Sequence, residues 1–355
     1  MYSAGHRPGS MRFMHTVVNV AVRAADVFLI GPVLAFFGSH FEVHRDEAAD
    51  AVATLRVRRY GEFDRRAFAG ADFAPVAMRK SSAASFNLHG LRAGCGGLEV
   101  VDCESTGTAF VFDAAARTID LYLSAGSEIQ VVEFLRDLVI RHEERRGTLV
   151  LHAAAAVGGP AAVVLVGGKG AGKSTLLLDL LSRPGWRFLS GDKVFLTAVD
   201  GTVQVTGWPD YPHLGVGTLR RHPALVRALR ALGHDIAGAA DQKKVLFRPE
   251  VLRAALGFDF CRGTVPLGWV AFPAVREPGA VGTERVAPDP AAVLEGLEFS
   301  ARNPLGGWHS FLVAPDPAAA GPAVARLADA LGRCRYCRVV GTEPLGAAEE
   351  EMLRC

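Results

Sequence analysis

Residues 167–175 are the most informative stretch of this chain, and they read Gly167-Gly168-Lys169-Gly170-Ala171-Gly172-Lys173-Ser174-Thr175. The run matches the pattern G-x-x-x-x-G-K-[ST] of a phosphate-binding loop. Its glycines let successive backbone N–H groups turn inward around an anion without clashes from Cβ atoms. Lys173 can then reach the β- and γ-phosphates of a nucleotide, and the Ser174 hydroxyl can ligate Mg²⁺. All nine residues are therefore predicted to form an ATP-binding loop.

The residues on both sides of the loop occur in the order that such a site requires. The apolar run Ala162–Val166 predicts a buried strand that leads into the loop. Thr175–Leu181 predicts a helix that stops before Pro184. Strand, loop and helix in this order place the phosphates at a helix N-terminus, where the helix dipole favours an anion. The alternative, a Gly-rich turn that binds nothing, is disfavoured by this context.

The composition is that of a soluble globular enzyme. The chain has 355 residues, of which 50% are hydrophobic and 21% charged, so it can form two domains or one large domain with an appendage. A net charge of +2 suggests neither a nucleic-acid nor an acidic-membrane partner. The apolar segment Val27–Phe37 contains Gly31 and Pro32 and is about half as long as a bilayer requires. We therefore expect it to belong to a core.

The terminus and the cysteines predict a cytoplasmic protein. Met1–Ser10 is polar and contains Gly and Pro, unlike a secretory signal peptide. Six cysteines stand at positions 95, 103, 261, 334, 337 and 355. Only Cys334 and Cys337 are closely spaced, and no second pair or His pair completes a zinc site. We expect reduced, mostly buried thiols.

Three regions follow one another along the chain. Residues 1–126 alternate short apolar runs with turns, which predicts a β-rich, mostly antiparallel N-terminal domain that acts as a scaffold or docking module. Residues 127–147 predict a connecting helix, in which Ser127-Glu-Ile-Gln130 forms a capping box and the Ser127 hydroxyl accepts from a first-turn N–H. Residues 148–355 predict the domain that contains the loop.

Neighbouring strands of this third region are joined by two-residue turns. Thr148–His152 and Ala154–Val157 precede the loop strand, and Asp200-Gly201 predicts a hairpin turn after Val194–Ala198. Such turns imply antiparallel pairing, unlike a plain alternating β/α nucleotide-binding domain. The fold class is therefore predicted to be α/β with a mixed sheet.

Two residues outside the loop are candidates for chemistry. Phosphoryl transfer needs a carboxylate that orients or deprotonates the acceptor hydroxyl. Asp192 follows the apolar pair Phe188-Leu189 at a strand end, 19 residues after Lys173, so we expect its strand to pack beside the loop strand. An Asp in this position can also be a simple turn former. His152 ends the strand that enters the region and is the second candidate. Its alternative role is that of a hydrogen-bonded histidine in the core.

Three motifs together resemble the core of the HPr kinase/phosphorylase family. They are Leu151-His-Ala-Ala-Ala-Ala156, Gly168-Lys-Gly-Ala-Gly-Lys-Ser-Thr175 and Leu189-Ser-Gly-Asp-Lys-Val194. The similarity is greatest to the HPr-kinase-related serine kinase branch. The similarity is specific over residues 148–225 and weaker to about residue 290. Elsewhere it is limited to the general order of strands and helices. The resemblance implies a P-loop, mixed-sheet domain of the phosphoenolpyruvate carboxykinase/HPr kinase type.

The resemblance also implies roles for particular residues. His152 would lie near the phosphates on a strand neighbouring the loop strand. Asp192 would be the acid/base for the acceptor hydroxyl and, with Ser174, a metal ligand. The segment Lys243–Pro249 resembles a basic stretch that offers a cation to the transferred phosphoryl group. The Gly/Pro-rich stretch from Gly207 to Thr218 resembles the acceptor side.

Two departures from the family pattern change the expected activity. Gly191 stands where the bifunctional members carry a first Asp, so one metal ligand is missing. This favours a kinase without reverse phosphorolysis. The loop and helix that end the chains of the family's members and bind HPr are not found in this sequence. HPr is therefore not expected to be the substrate.

The leading hypothesis is an ATP- and Mg²⁺-dependent kinase that phosphorylates a hydroxyl, foremost a serine of a protein or peptide. Lys173, Asp192 and His152 are its predicted catalytic residues. One alternative is a small-molecule hydroxyl kinase; another is a nucleotide-gated regulatory protein with little turnover. Transporter-type ATPases and GTPases are disfavoured, because neither an L-S-G-G-Q-like signature nor an N-K-x-D motif occurs. No nucleic-acid or membrane partner is expected, and assembly into a homo-oligomer is left open.

Overall fold

The structure is a computed structural model that describes residues 9–79, 87–241, 243–274, 281–303 and 305–354. Predictions on residues 1–8 and on Cys355 lie outside these ranges. The chain divides into two units. The first runs to Gly147 and includes Phe299–Ala319, and the second comprises Thr148–Glu298 and the residues from Ala320 onward. The fold is α/β, with mixed sheets and several helices.

The first unit is built on a sheet to which nine strands contribute within the described ranges. These are β1 (Ser10–Phe13), β2 (Thr16–Val22), β3 (Glu42–His44), β4 (Ala53–Arg59), β5 (Ala74–Arg79), β6 (Leu88–Cys95), β7 (Leu98–Cys103), β8 (Thr108–Asp113) and β9 (Thr118–Leu123). Their order is β3-β1-β2-β4-β9-β8-β7-β6-β5. The pairs β2–β4 and β4–β9 are parallel and the other pairs are antiparallel. The predicted mostly antiparallel β-region is thus confirmed.

The described residues of this unit form two α-helices, α1 (Val27–Phe37) and α2 (Glu128–Arg145). Helix α2 buries the apolar stripe that its sequence predicts, including Val131, Phe134 and Leu138. In α1, Ile30, Val33, Leu34 and Phe37 are buried, as expected for a core segment. Over the ranges that the structure covers, no helix is both long and apolar enough to cross a membrane.

The predicted capping box at the start of α2 is wrong in its side-chain role. Ser127 is the N-cap residue, but its side chain makes no capping bond to the helix. Its Oγ instead accepts from the Ser124 backbone N–H at 2.9 Å and from the Thr108 hydroxyl at 2.7 Å, and it donates to the Gly107 carbonyl at 3.1 Å. The hydroxyl therefore ties the start of the helix to residues at the beginning of β8 and just after β9.

His309 is buried in the first unit among aromatic rings. Its ring centroid lies 4.5 Å from that of Trp308, 5.3 Å from Phe134 and 5.4 Å from Phe112. Neither ring nitrogen has a hydrogen-bond partner among the described residues. Burial, reinforced by the charges of Arg141 and Arg92, holds the pKa of His309 well below its usual range. The imidazole is therefore neutral in the folded chain.

This neutral histidine predicts a loss of stability in mild acid. Below about pH 6.5 the unfolded chain binds a proton at this position that the folded chain excludes, so the free energy of unfolding falls by up to about 1.4 kcal/mol per pH unit. His309→Phe keeps a ring in the aromatic cluster and removes the titration. The free energy of unfolding of both proteins is measured with urea at pH 7.5 and at pH 5.5. Between these two values, the variant should gain about 1.4 kcal/mol of stability relative to the wild type. If the stability difference between the two proteins were the same at both pH values, His309 would not be the neutral, buried group described here.

The second unit contains the remaining strands. These are β10 (Leu149–His152), β11 (Ala154–Gly158), β12 (Ala161–Leu165), β13 (Trp186–Ser190), β14 (Lys193–Val199), β15 (Thr202–Gly207), β16 (His213–Gly215), β17 (Lys244–Leu246), β18 (Asp259–Phe260), β19 (Thr264–Ala274), β20 (Gly282–Val286), β21 (Leu297–Glu298) and β22 (Arg335–Val340). The main sheet runs β18-β13-β11-β12-β19-β15-β14-β10-β21, and β22 pairs with both β19 and β20. Strands β16 and β17 pair separately.

Seven α-helices of this unit lie within the described residues. They are α3 (Lys173–Leu181), α4 (Val216–Arg220), α5 (Pro223–Ala231), α6 (Pro249–Leu256), α7 (Pro290–Leu294), α8 (Gly321–Leu331) and α9 (Ala347–Leu353). Leucines of α3 pack with β11, β12 and β13 side chains in one apolar cluster that includes Ala154, Val163, Leu177 and Phe188. Within the described ranges the cysteines carry free thiols, as expected.

The hairpin turn predicted at Asp200-Gly201 is confirmed. Both residues are left-handed, with φ of +50° and +73°, as a type I′ turn requires. Strands β14 and β15 pair antiparallel from this turn, and Val194 lies opposite Gly207 near the open end of the hairpin.

The strand that carries Asp192 does not lie beside the loop strand, contrary to our expectation. Strand β12 pairs antiparallel with β11 and parallel with β19. Strand β13 pairs with the far edge of β11. The tight turn at Gly159-Pro160 folds β11 back onto β12, so the position next to β12 is taken before β13 is reached along the chain.

Candidate functional site

The phosphate-binding sequence forms the junction between β12 and α3. Gly170 and Gly172 adopt left-handed φ values of +85° and +107°, which side chains rarely adopt. Gly172 is the N-cap residue of α3, and Lys173 is its first helical residue. The tip of the loop, including Lys169, is exposed. Strand, glycine loop and helix thus occur in the predicted order, and the positive end of the α3 dipole faces the loop.

Lys173 is turned back onto this loop. Its Nζ donates to the Gly167 carbonyl at 2.5 Å and approaches the Gly168 carbonyl at 3.5 Å. Burial lowers the pKa of the Lys173 ammonium; the charge of Asp192 opposes this shift, and that of Lys244 adds to it. Lys173 therefore lies within electrostatic range of two residues from outside the loop. An anionic phosphate in the loop would offer Nζ a stronger acceptor than these carbonyls.

The two hydroxyl residues that end the loop differ in their surroundings. Ser174 has no hydrogen-bond partner among the residues that the structure describes, which leaves its hydroxyl available to a ligand. The Thr175 hydroxyl lies 2.8 Å from that of Thr218 in α4. The segment that resembles the acceptor side thus contacts the end of the loop, and Lys244 reaches the same region from β17.

His152 and Asp192 meet where two strands bend. Strand β10 continues into β11 through Ala153, and β13 continues into β14 through Gly191 and Asp192. The two bent segments pair antiparallel on both sides of the bend, with His152 opposite Lys193. The Ala153 N–H donates to the Asp192 carbonyl at 3.0 Å. The backbone therefore places the side chains of both candidates at one corner, although β10 is not a neighbour of the loop strand as the resemblance implied.

Four charged or ionisable side chains converge at this corner. His152 Nδ1 lies 3.4 Å from Asp192 Oδ1 and 3.6 Å from Glu298 Oε1. Lys193 pairs with Glu298, and its Nζ lies 3.9 Å from Asp192 Oδ2. The side chains of His152 and Asp192 are 43% and 48% exposed, so these contacts contribute little to stability. Their exposure leaves them open to a substrate, and an Asp–His contact can orient or exchange a proton.

Glu298 was not predicted from the sequence. It comes from the two-residue strand β21, which pairs with β10 through Val150. It stands more than 100 residues after Asp192. No local motif surrounds it, so the sequence offers no signal that would have found it.

Asp210 is a second carboxylate that sequence analysis missed. A Cβ atom on Gly191 would lie 2.7 Å from Asp210 Oδ2, so the Asp210 carboxylate lies in space that a side chain at position 191 would need. Asp210 Oδ1 is buried without a hydrogen-bond partner among the described residues. Burial, reinforced by the charge of Asp192, raises the pKa of Asp210 well above its usual range. Asp210 therefore brings a carboxylate next to position 191, where the chain itself carries a glycine.

A signal for Asp210 did exist in the sequence. In a hairpin with a two-residue turn, residues equally far from the turn pair with each other. With Asp200-Gly201 as the turn, Asp192 lies opposite Pro209. Asp210 is the next residue, so an Asp-Gly turn between the two carboxylates already predicts that they meet at the open end of the hairpin.

The donor set suits Mg²⁺ bound together with a nucleotide. The described residues contain no group of three or more His, Cys, Asp or Glu arranged to hold a metal ion by themselves. Mg²⁺ at nucleotide sites is usually held by one or two carboxylates, phosphate oxygens and water. Ser174 and Asp192 carry hard oxygen atoms of this kind, and the unpartnered Oδ1 of Asp210 is a further one.

Comparison with known proteins does not identify a family for this chain. No family model matches the chain, and no curated protein matches it. Among solved structures, the chain is similar to the Hpr(Ser) kinase/phosphatase from Coxiella burnetii, at a TM-score of 0.26 and 11% sequence identity. The alignment covers 57% of this chain and 91% of that chain. This similarity is weak, and the assignment of the site therefore rests on the residues described above.

Proposed function

We propose that the second unit is an ATP- and Mg²⁺-dependent kinase that transfers the γ-phosphoryl group to a hydroxyl, foremost that of a serine in a protein or peptide. The fold would be a P-loop mixed-sheet domain of the phosphoenolpyruvate carboxykinase/HPr kinase type, acting in the cytoplasm. The observation that carries the proposal is the position of Lys173. It lies on the glycine loop and within electrostatic range of Asp192, which extends from the strand bend.

The proposed mechanism assigns one task to each residue of the site. Residues 167–175 hold the β- and γ-phosphates through backbone N–H groups and Lys173. Asp192 accepts a hydrogen bond from the acceptor hydroxyl and takes its proton as the oxygen attacks the γ-phosphorus. The new O–P bond forms as the bond to the β-phosphate oxygen breaks, and ADP leaves with that electron pair. When bound, Mg²⁺ neutralises charge on the phosphate oxygens.

His152 supports Asp192 in this mechanism. Its Nδ1 is close to both Asp192 and Glu298, so it can hold the Asp192 carboxylate toward the acceptor and receive a proton from it. The acceptor would approach from the side of Thr218 and Lys244, where two strands and α4 border the loop. Lys244 offers a cation to the transferred phosphoryl group. No nucleic-acid or membrane partner is proposed.

The test uses the full chain with γ-labelled ATP, Mg²⁺ and a cell extract freed of nucleotides, followed by mapping of the labelled sites. Lys173→Ala serves as the matched inactive protein, so that only label dependent on this site is counted. Labelled serine in a polypeptide supports the proposal. Label confined to small molecules would indicate the small-molecule kinase. Tight ATP binding without any transfer would favour the nucleotide-gated protein, and absence of ATP binding would refute the site altogether.

A further inference from the structure

The β14–β15 hairpin brings two separate chain segments together beside the phosphate loop. Gly207 lies so close to β13 that a Cβ atom there would be 1.8 Å from the Leu189 carbonyl oxygen. The Ser190 Oγ is within hydrogen-bond distance of the Trp208 carbonyl, at 3.1 Å. Residues 189–192 and 207–210 are therefore held side by side, and the position of Asp210 relative to Asp192 is determined by the backbone.

Gly191 leaves open the space that the Asp210 carboxylate occupies. With any larger residue at this position, the side chain would start 2.7 Å from Asp210 Oδ2 and 3.3 Å from Oδ1. The Asp210 carboxylate thus takes the place of a side chain at position 191. It also lies close enough to Asp192 for the charge of that residue to act on it.

The Asp210 carboxylate is only partly satisfied: it accepts a backbone hydrogen bond from Gly191 and lies within range of the Lys193 charge. Its Oδ1 is buried and has no hydrogen-bond partner among the described residues. Two carboxylates close together repel each other unless a cation or a proton intervenes. A buried, unpartnered oxygen normally indicates a ligand or ion that completes the site.

We propose that Asp210 supplies, together with Asp192, the carboxylate ligands of the divalent cation that accompanies the nucleotide. This inference rests on the proposed function of the site. The second carboxylate comes from the open end of the hairpin, because the backbone at Gly191 leaves room for it there. The cation completes its coordination with phosphate oxygens, the Ser174 hydroxyl and water.

The test measures metal binding directly, with Mn²⁺ as the probe. Electron paramagnetic resonance titration is performed on the full chain saturated with a non-hydrolysable ATP analogue. Asp210→Asn keeps the size of the side chain and removes its charge, and we expect it to weaken Mn²⁺ binding by about tenfold or more. Asp200→Asn removes a charge from the exposed turn of the same hairpin, where Asn suits a left-handed φ, and should leave Mn²⁺ affinity unchanged.

A double substitution tests the geometry. Gly191→Asp alone should disturb the site, because its side chain collides with Asp210. Gly191→Asp combined with Asp210→Gly moves the carboxylate to the other segment, and we expect it to recover most of the Mn²⁺ affinity that Asp210→Asn loses. Analogue affinity without metal, measured in parallel, should stay near wild type in Asp210→Asn and in the double variant, which also shows that they fold.

The possible outcomes separate the two proposals. If the wild type binds the analogue and Mn²⁺ but Asp210→Asn binds Mn²⁺ within about twofold of it, the inference is wrong while the nucleotide site stands. A double variant that binds the analogue yet does not regain Mn²⁺ affinity would also overturn it. A wild type that does not bind the analogue would overturn the proposed function, and this inference with it.

Discussion

Replacing Lys173 with Ala is expected to reduce phosphoryl transfer by about 10²–10³-fold, because it removes the loop cation that faces the β- and γ-phosphates. This corresponds to about 3–4 kcal/mol of transition-state stabilisation. The fold should survive, since within the described part of the chain Nζ hydrogen-bonds to the Gly167 and Gly168 carbonyls of the loop itself. The measurement is the initial rate of transfer from γ-labelled ATP at saturating acceptor, with thermal unfolding recorded on the same preparation.

Lys169→Ala is the matched control for this prediction. Lys169 lies in the same loop and carries the same charge, but its side chain is exposed at the tip. The substitution keeps the backbone N–H that the loop offers to phosphate, so activity should stay within about threefold of wild type. If Lys173→Ala were no more damaging than Lys169→Ala, the loop would not bind nucleotide as proposed.

Asp192→Asn is expected to lower the transfer rate by about 10²-fold or more, the usual contribution of a positioned general base. Asn keeps the shape of the side chain but cannot accept the proton of the acceptor hydroxyl. Nucleotide affinity should change much less, because Lys173 and the loop amides make most of the contacts to the phosphates. The experiment determines the transfer rate and the nucleotide Kd on one preparation, with Asp200→Asn as the control for charge.

The pair of values distinguishes three roles for Asp192. A selective loss of transfer supports its role as the base of a kinase. Loss of transfer and nucleotide binding together would identify Asp192 chiefly as a metal ligand or structural residue. Retention of both would favour a nucleotide-gated protein with little turnover, and the kinase would be refuted.

The local elements of the second unit follow closely from the sequence. The loop strand, the helix α3 and the turn at Asp200-Gly201 all lie where the residue pattern predicts them. Each depends on interactions between residues that are near one another in sequence, such as glycines that permit left-handed φ or a Pro that ends a helix. Helix α2 was likewise predicted within two residues at each end, although the role of the Ser127 hydroxyl was not.

Pairings between distant segments were predicted less well. The expectation that the Asp192 strand lies beside the loop strand was wrong, because β11 occupies that position. Phe299–Ala319 returns to the first unit after the whole phosphate-loop region, and no pattern in the sequence marks this return. Such choices depend on which strands and helices bury one another's apolar surface, and many pairings satisfy the same local pattern.

The sequence by itself determined that a glycine-rich loop with the phosphate-binding pattern joins a buried strand to a helix, and that Asp192 and His152 end nearby strands. The Asp200-Gly201 turn also encodes that Asp210 comes to the open end of the hairpin near Asp192. Only the tertiary structure decided that Glu298 joins this corner through a short strand pairing, and that the Asp210 carboxylate occupies the space beside Gly191. The physical reason is that a motif encodes backbone conformation over a few residues. The meeting of two carboxylates depends instead on strand register and on a glycine at position 191 that leaves space for one of them.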